Sequence, residues 1–427
     1  MTFGFYTILL AQFLSALADN TLLFAAIALL REQSAPPEYV PILQQFFVVS
    51  YIVLAPFVGA FSDALPKGRV MFISNLIKIV GCAIMMLGIN PLYAYALVGL
   101  GAAAYSPAKY GILTEYLPPS QLVLANSWME GLTVMAIILG AVFGCWLLNP
   151  QLPVFLWLQN ALPPTGLPLL TQPHFAILMV LLAYLGAAIV NLYIPRVQRD
   201  HTLPHKNPWF LIMDFITSFR KLWNDPLGKV SLAVTTLFWG VGSNLRLMVL
   251  VWATLQLHLD LEKSTQLTAV SAVGIAVGAI AAARWVHLEN SLRVLPVGIA
   301  MGGVILCMLV VSHWPTAVAL LIVSGAMGGF FVVPMNALLQ HRGHQLMGAG
   351  HSIAVQNFNE NISILFMLGI YALIIRMDGP LRNWIRLPLA DSQASFYVSV
   401  IFLGLLISGI MWWLYRRYRH LDCKDFS

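Results

Sequence analysis

The chain has 427 residues, of which 59% are hydrophobic and only 9% charged. Soluble domains carry roughly 25% charged residues, so a soluble globular protein is excluded. The formal net charge of +6 comes from basic residues grouped in short stretches between apolar runs, and it gives no reason to expect nucleic acid.

A bilayer core of about 30 Å needs about 20 apolar residues per helix. Such windows place twelve spans near 3–30, 41–61, 70–89, 92–114, 121–148, 173–194, 229–257, 265–287, 292–312, 315–340, 348–375 and 394–415. A β-barrel would instead show short segments of alternating polarity. The fold class is therefore an all-α polytopic membrane protein. The Pro-rich segments 150–172 and 376–393 read as irregular loops. The longest polar stretch, 195–228, divides the spans six and six. The expected domains are an N-terminal six-helix half (1–194), a linker (195–228) and a C-terminal six-helix half with a short tail (229–427).

Lys and Arg concentrate on the cytoplasmic side of membrane proteins. With the N-terminus inside, fifteen of them fall in inside loops, Lys67, Arg69, Arg220, Lys221 and Arg342 among them, and five fall outside. Both termini are expected to be cytoplasmic. The first span lacks a positive n-region and a small-residue cleavage site, and Asp19 interrupts its apolar core, so it reads as a retained span rather than a signal peptide. Cys82, Cys145 and Cys307 lie in spans and Cys423 in the tail, without CxxC or Cys/His spacing. Neither a disulfide framework nor a metal site is expected, and no cofactor.

Several charges lie inside the spans: Asp19, Glu130 and Glu360, the basic Lys78, Lys109 and Arg246, and Glu115 at a span end. A charge at the bilayer centre costs about 2.5–3.5 kcal/mol on insertion scales, so each must be paired, line water or bind something. Lys78, eight residues into its span, reads either as a snorkelling side chain or as a paired one. Asp19 and Arg246, near span centres, point to function.

An internal offset relates the halves. Asp19 and Arg246 are 227 positions apart, as are Pro107 in SPAKYGILTEYLP and Pro334 in VVPMNALLQHRG. With a shift of about three, Asn126-x-x-x-Glu130 matches Gln356-x-x-x-Glu360, beside Asn357. Two homologous six-helix halves joined by a basic loop are the organisation of major facilitator transporters, whose substrate sits between the halves near the midplane. Asp19, Lys109, Arg246, Asn336 and Gln340 then line the cavity, and Asp19 faces Arg246 across it. In the loop between spans two and three, GAFSDALPKGRV holds Gly59-x-x-x-Asp63 and then Lys67-Gly68-Arg69. It resembles the facilitator loop motif, with about two extra residues. The small Gly59 permits close helix approach, and Asp63 is placed to cap or pair with a neighbouring helix end.

The strings AQFLSALADNTLLFAAIALL, GAAAYSPAKYGIL, LFWGVGSNLRLMVLVW and GGFFVVP, with APFVGAFSD and KGRVMFISN, resemble the bacterial lysophospholipid transporter family and span most of the chain. The resemblance implies a flippase of the inner membrane that moves lysophosphatidylethanolamine and related monoacyl lipids from the outer to the inner leaflet. It also implies a separate acyltransferase and acyl-carrier-protein synthetase that restores the diacyl lipid. Besides the substrate, the expected partners are membrane lipids, and the chain is expected to be a monomer.

On that reading Arg246 takes the phosphate through its planar fork. Lys109 is a second cation or a partner of Glu115 or Glu130. Asp19 receives the ammonium or holds Arg246 until phosphate displaces it. Asn20, Asn244, Asn336 and Gln340 are hydrogen-bond candidates, although amides inside spans also serve as helix-to-helix glue. Glu115, Asn126, Glu130, Gln356, Asn357 and Glu360 are candidates for gating or for fixed bonds. His344 and His351 read as interfacial loop histidines or as proton carriers. The small residues of GIAVGAIAAA and GHSIAVQ either pack closely or open sideways. The segment 150–172 is longer than the family pattern.

The alternative in the same fold is a proton-coupled exporter of drugs or small solutes, which needs no paired cation. A lipid enzyme needs a nucleophile–base or metal constellation, and none is recognisable. The chain is not expected to be an enzyme.

Overall fold

The computed structural model describes residues 3–35, 39–149, 151–161, 171–195, 207–259, 261–385 and 393–419. Among them there is no strand. The α-helices are α1 (Phe3–Glu32), α2 (Tyr39–Ala64), α3 (Lys67–Met86), α4 (Pro91–Tyr116), α5 (Leu122–Leu147), α6 (Pro153–Ala161), α7 (Gln172–Leu192) and α8 (Pro208–Asn224). They continue with α9 (Pro226–Gln256), α10 (Leu261–Trp285), α11 (Leu295–Leu306), α12 (Trp314–Met347), α13 (Ala349–Arg376), α14 (Asp378–Ile385) and α15 (Gln393–Tyr418).

Ten helical segments among the described residues are long and apolar enough to cross a membrane. They coincide with ten of the twelve expected spans. At the other two positions stand α4 and α10. Tyr, Ser, Pro, Lys and Glu side chains dilute the apolar character of α4, and α10 contributes the shorter apolar stretch Ala269–Trp285. The ninth span opens as a 3₁₀ turn, Leu288–Val294, before α11. The two segments read as irregular loops each contain a short helix, α6 and α14. The polar linker also contains a helix, α8, with an amphipathic pattern of its own.

Local chemistry sets several boundaries. Pro66 ends the connection from α2 and stands at the N-cap of α3. Asp225 caps α9 by accepting from Gly228 N at 2.9 Å, and Pro226 occupies the first helical position, where its missing N–H costs nothing. Gly348, at φ 95°, makes the turn between α12 and α13 that an L side chain resists.

The chain forms two compact units. The first comprises Met1–Tyr116, Met135–Phe219 and Met347–Asn357; the second comprises Leu117–Val134, Arg220–Leu346 and Phe358–Ser427. In the first, α3 packs on α4 and α7, α1 on α7, and α2 on α4. A Cβ on Gly101 of α4 would lie 2.7 Å from Lys78 Cγ and 2.8 Å from Ser74 O, so the glycine admits α3 and its lysine. In the second unit, α11 packs on α15, and α9 on α10 and α15. The small residues of α10 pack closely: Gly274 and Gly278 lie against Gly325 and Ala326 of α12, where any Cβ would meet backbone.

Candidate substrate-binding site

Asp19 lies just past the middle of α1. Its carboxylate accepts from Lys78 Nζ of α3 at 2.8 and 2.9 Å, and Oδ1 accepts from the Tyr184 hydroxyl of α7 at 2.6 Å. Lys78 Nζ also donates to Ser15 Oγ at 3.1 Å, and Ser15 donates to Asn75 Oδ1 at 2.9 Å. The ammonium stands 4.9 Å from the Tyr105 ring centroid and 5.3 Å from that of Tyr184, within cation–π range. The lysine side chain is 1% exposed and the carboxylate side chain 23%. Helices α1, α4 and α7 thus enclose a cation carried by α3, behind a partly accessible carboxylate.

This corrects one expectation and decides between two readings of Lys78. The cation on Asp19 is Lys78, not Arg246. Lys78 does not snorkel, because a carboxylate, a hydroxyl and two aromatic rings enclose it. Asn20 turns its amide back to Ala16 O of its own helix at 2.8 Å. Lys109 Nζ lies 4.4 Å from the Tyr110 ring centroid.

A second polar junction surrounds Asp63, near the end of α2. Its Oδ1 accepts from Lys67 Nζ at 2.7 Å and from Gly350 N at 2.8 Å; Oδ2 accepts from His351 N at 3.1 Å and lies 2.6 Å from His351 Nδ1. Asp63 therefore meets the first turn of α13, where free N–H groups and the helix dipole favour an anion. Lys67 also reaches Ser62 O at 2.9 Å and Glu115 Oε1 at 3.1 Å. His351 Nε2 stands 2.9 Å from Asp214 Oδ2 of α8. A Cβ on Gly59 would lie 3.0 Å from both His351 Cα and Ala354 Cβ, so this glycine sets the α2–α13 approach. Arg69 is exposed. His344 and His351 are helical residues, not loop residues; the connection between α12 and α13 is too short to hold them. Asn357 donates to Ser106 Oγ at 2.9 Å, and Gln356 beside it is buried.

In the second unit Asn126 and Gln340 form a reciprocal amide pair, Nδ2 to Oε1 at 3.0 Å and Nε2 to Oδ1 at 2.9 Å, both side chains buried. Asn244 donates to Met367 O at 2.9 Å, which ties α9 to α13. Glu130, Asn336 and Glu360 are buried. Arg246 is exposed about two-thirds of the way along α9, and it makes no ion pair among the described residues. Arg342 reaches Asp225 through Nε and Nη2, the shortest contact being 2.8 Å.

The family model for the Major Facilitator Superfamily matches residues 8–368. Lysophospholipid transporters named LplT from Yersinia pestis (strain Pestoides F) and Yersinia pseudotuberculosis (serotype I, strain IP32953) are 45% identical over 374 residues, covering 87% of this chain and of each relative. The chain belongs to the lysophospholipid transporter family of the Major Facilitator Superfamily. Solved facilitators share its fold at low identity. The human organic anion transporter MFSD10 gives a TM-score of 0.69 at 15% identity, covering 96% of this chain and 100% of that one. A variant of the Escherichia coli fucose:proton symporter FucP gives 0.69 at 12%, covering 95% and 98%.

Within this lysophospholipid transporter fold, sequence reasoning missed the pairing of four residues. Lys78 carried a signal, as a basic residue inside a span with an unpaired carboxylate two spans earlier. Tyr184 carried none, since one tyrosine in an apolar helix is unremarkable. Asp214 and His351 were hidden by the reading of their segments as linker and loop.

Proposed function

We propose that this protein is a secondary transporter that moves lysophospholipids, lysophosphatidylethanolamine among them, from the outer to the inner leaflet of a bacterial inner membrane by alternating access. The observation that carries this reading is the 45% identity, over 87% of the chain, to transporters named for lysophospholipids. On this reading the protein acts as a monomer with both termini cytoplasmic, and a separate acyltransferase with its acyl-carrier-protein synthetase re-acylates the product.

The chemistry of the spans supports a substrate with a charged head and one tail. Arg246 offers an exposed guanidinium whose two-pronged donor set suits a phosphate. Asp19 offers a partly accessible carboxylate. A carboxylate has about four acceptor positions, and Lys78 and Tyr184 use three, leaving capacity for an ammonium. An apolar pocket of about 240 Å³ lies between α1, α5 and α7, with Leu17, Ala18, Trp146 and Val180 in its wall. It has room for about eight water-sized groups, a portion of one acyl chain. Leu17 and Ala18 share a helical turn with Asp19, so head and tail contacts adjoin.

The test is transport of fluorescent lipids into proteoliposomes, read by protection from dithionite. Monoacyl phospholipid is expected to cross and diacyl phospholipid to remain largely behind. Equal rates for both sink the reading.

A further inference from the structure

Helix α8 has two unlike sides. Phe215, Ser218 and Leu222 are buried, and Asp214 stands at ion-pair distance from His351. Trp209, Met213 and Ile216 are exposed, Trp209 to 69%. Their spacing of four and three residues makes one stripe of the helix. Arg220 extends that stripe by a further four residues with Lys221 beside it, and both are exposed. The only acidic residue of α8, Asp214, is engaged on the other side.

The place of α8 in the chain limits what can cover that stripe. It lies between two membrane-spanning helices, α7 and α9, and a single residue, Asp225, separates it from α9. Asp225 caps α9 and pairs with Arg342, which fixes the C-terminal end of α8 at a span boundary. A helix held at that level, with an apolar stripe and basic residues at its end, has the chemistry of an interfacial helix on an anionic surface.

We propose that α8 is a bilayer-contact element: Trp209, Met213 and Ile216 lie in the headgroup–acyl boundary, and Arg220 and Lys221 engage phosphates of anionic phospholipids. Its inner side is tied through Asp214 and His351 to Asp63, so the lipid surface bears on the junction of α2 with α13. The assignment is independent of what the protein transports.

The experiment uses the full chain in vesicles of phosphatidylcholine with or without phosphatidylglycerol. Nitroxide labels are placed singly at Trp209→Cys, Met213→Cys and Ile216→Cys, with Gln151→Cys as an exposed control. In the anionic vesicles the α8 labels are expected to be open to oxygen and to lose access to a water-soluble nickel chelate. That protection is expected to weaken in phosphatidylcholine alone and in the Arg220→Glu/Lys221→Glu variant. Nickel access equal to that of the control in both vesicle types overturns the proposal. Spin–spin broadening without lipid dependence also overturns it, because a second copy would then cover the stripe. Amide hydrogen exchange over α8 in the unmodified protein is the second readout. Slower exchange in the anionic vesicles is expected, and identical exchange in both overturns the assignment.

Discussion

Lys78 of α3 places its ammonium 2.8 and 2.9 Å from the two carboxylate oxygens of Asp19 on α1, and the two partners differ in burial. The lysine side chain is 1% exposed and the aspartate side chain 23%. Breaking a buried pair from one side costs roughly 3–5 kcal/mol, less where water reaches the site. Which member is removed therefore matters. Asp19→Asn leaves a fully enclosed ammonium without a counter-charge, whereas Lys78→Met leaves a carboxylate that solvent can reach. The Asp19→Asn variant is expected to melt at the lower temperature. Asp19→Asn/Lys78→Met is expected to recover stability without recovering transport. Thermal unfolding in detergent, read beside uptake, checks this; a double variant that melts no higher than Asp19→Asn refutes the pairing as the source of the loss.

Arg246 is expected to behave in the opposite way. It is exposed and without an ion pair among the described residues, so its replacement should change stability by no more than about 0.5 kcal/mol. Arg246→Ala is expected to reach normal membrane levels with normal thermal unfolding and to lose transport. Arg246→Lys keeps the charge but not the planar fork, and it is expected to recover only part of the rate. Wild-type uptake by Arg246→Ala would place the phosphate contact elsewhere.

The Asp63 junction combines ionic and steric conditions. Asp63→Asn weakens the attraction to Lys67 and His351 and retains a side chain that can still accept from Gly350 N. A moderate loss of transport is expected. Gly59→Val inserts carbon where His351 Cα and Ala354 Cβ already stand 3.0 Å from a Cβ, so it should force α2 from the first turn of α13 and lower transport further. Uptake by Gly59→Val at or above that of Asp63→Asn would show that the close approach is dispensable.

The reciprocal amides of Asn126 and Gln340 lend themselves to a double-mutant cycle. Replacing either one with Leu strands a buried amide, at about 1–3 kcal/mol. Replacing both removes the need for either partner, so the double variant is expected to lose less than the sum of the single losses, by about 0.5–3 kcal/mol. Additive losses in thermal or chemical unfolding would show that the two side chains do not depend on each other.

Membrane class and most span positions were legible in the sequence because hydrophobicity is a local property, summed over neighbouring residues. The α9 start lay within reach but was placed at 229 from hydropathy, although Asp225 followed by Pro226 is a local helix-start signal. The motif around Gly59, Asp63 and Lys67 could be read as a loop facing a helix end, but not which end. That answer, α13, lies 287 residues away from Asp63 at Gly350. The partner of Asp19 was decided by packing alone: helical phase turns Lys78 toward α1, and Gly101 leaves room for its stem. An offset in sequence numbering can nominate Arg246 but has no knowledge of that phase. Helix α8 was partly within reach, since its apolar residues recur at helical spacing inside a stretch read only for its polarity. What hid it was averaging, which reports how apolar a segment is but not on which side. An ion pair or an amphipathic face is a relation between directions in space, and those directions exist only once the helices are packed.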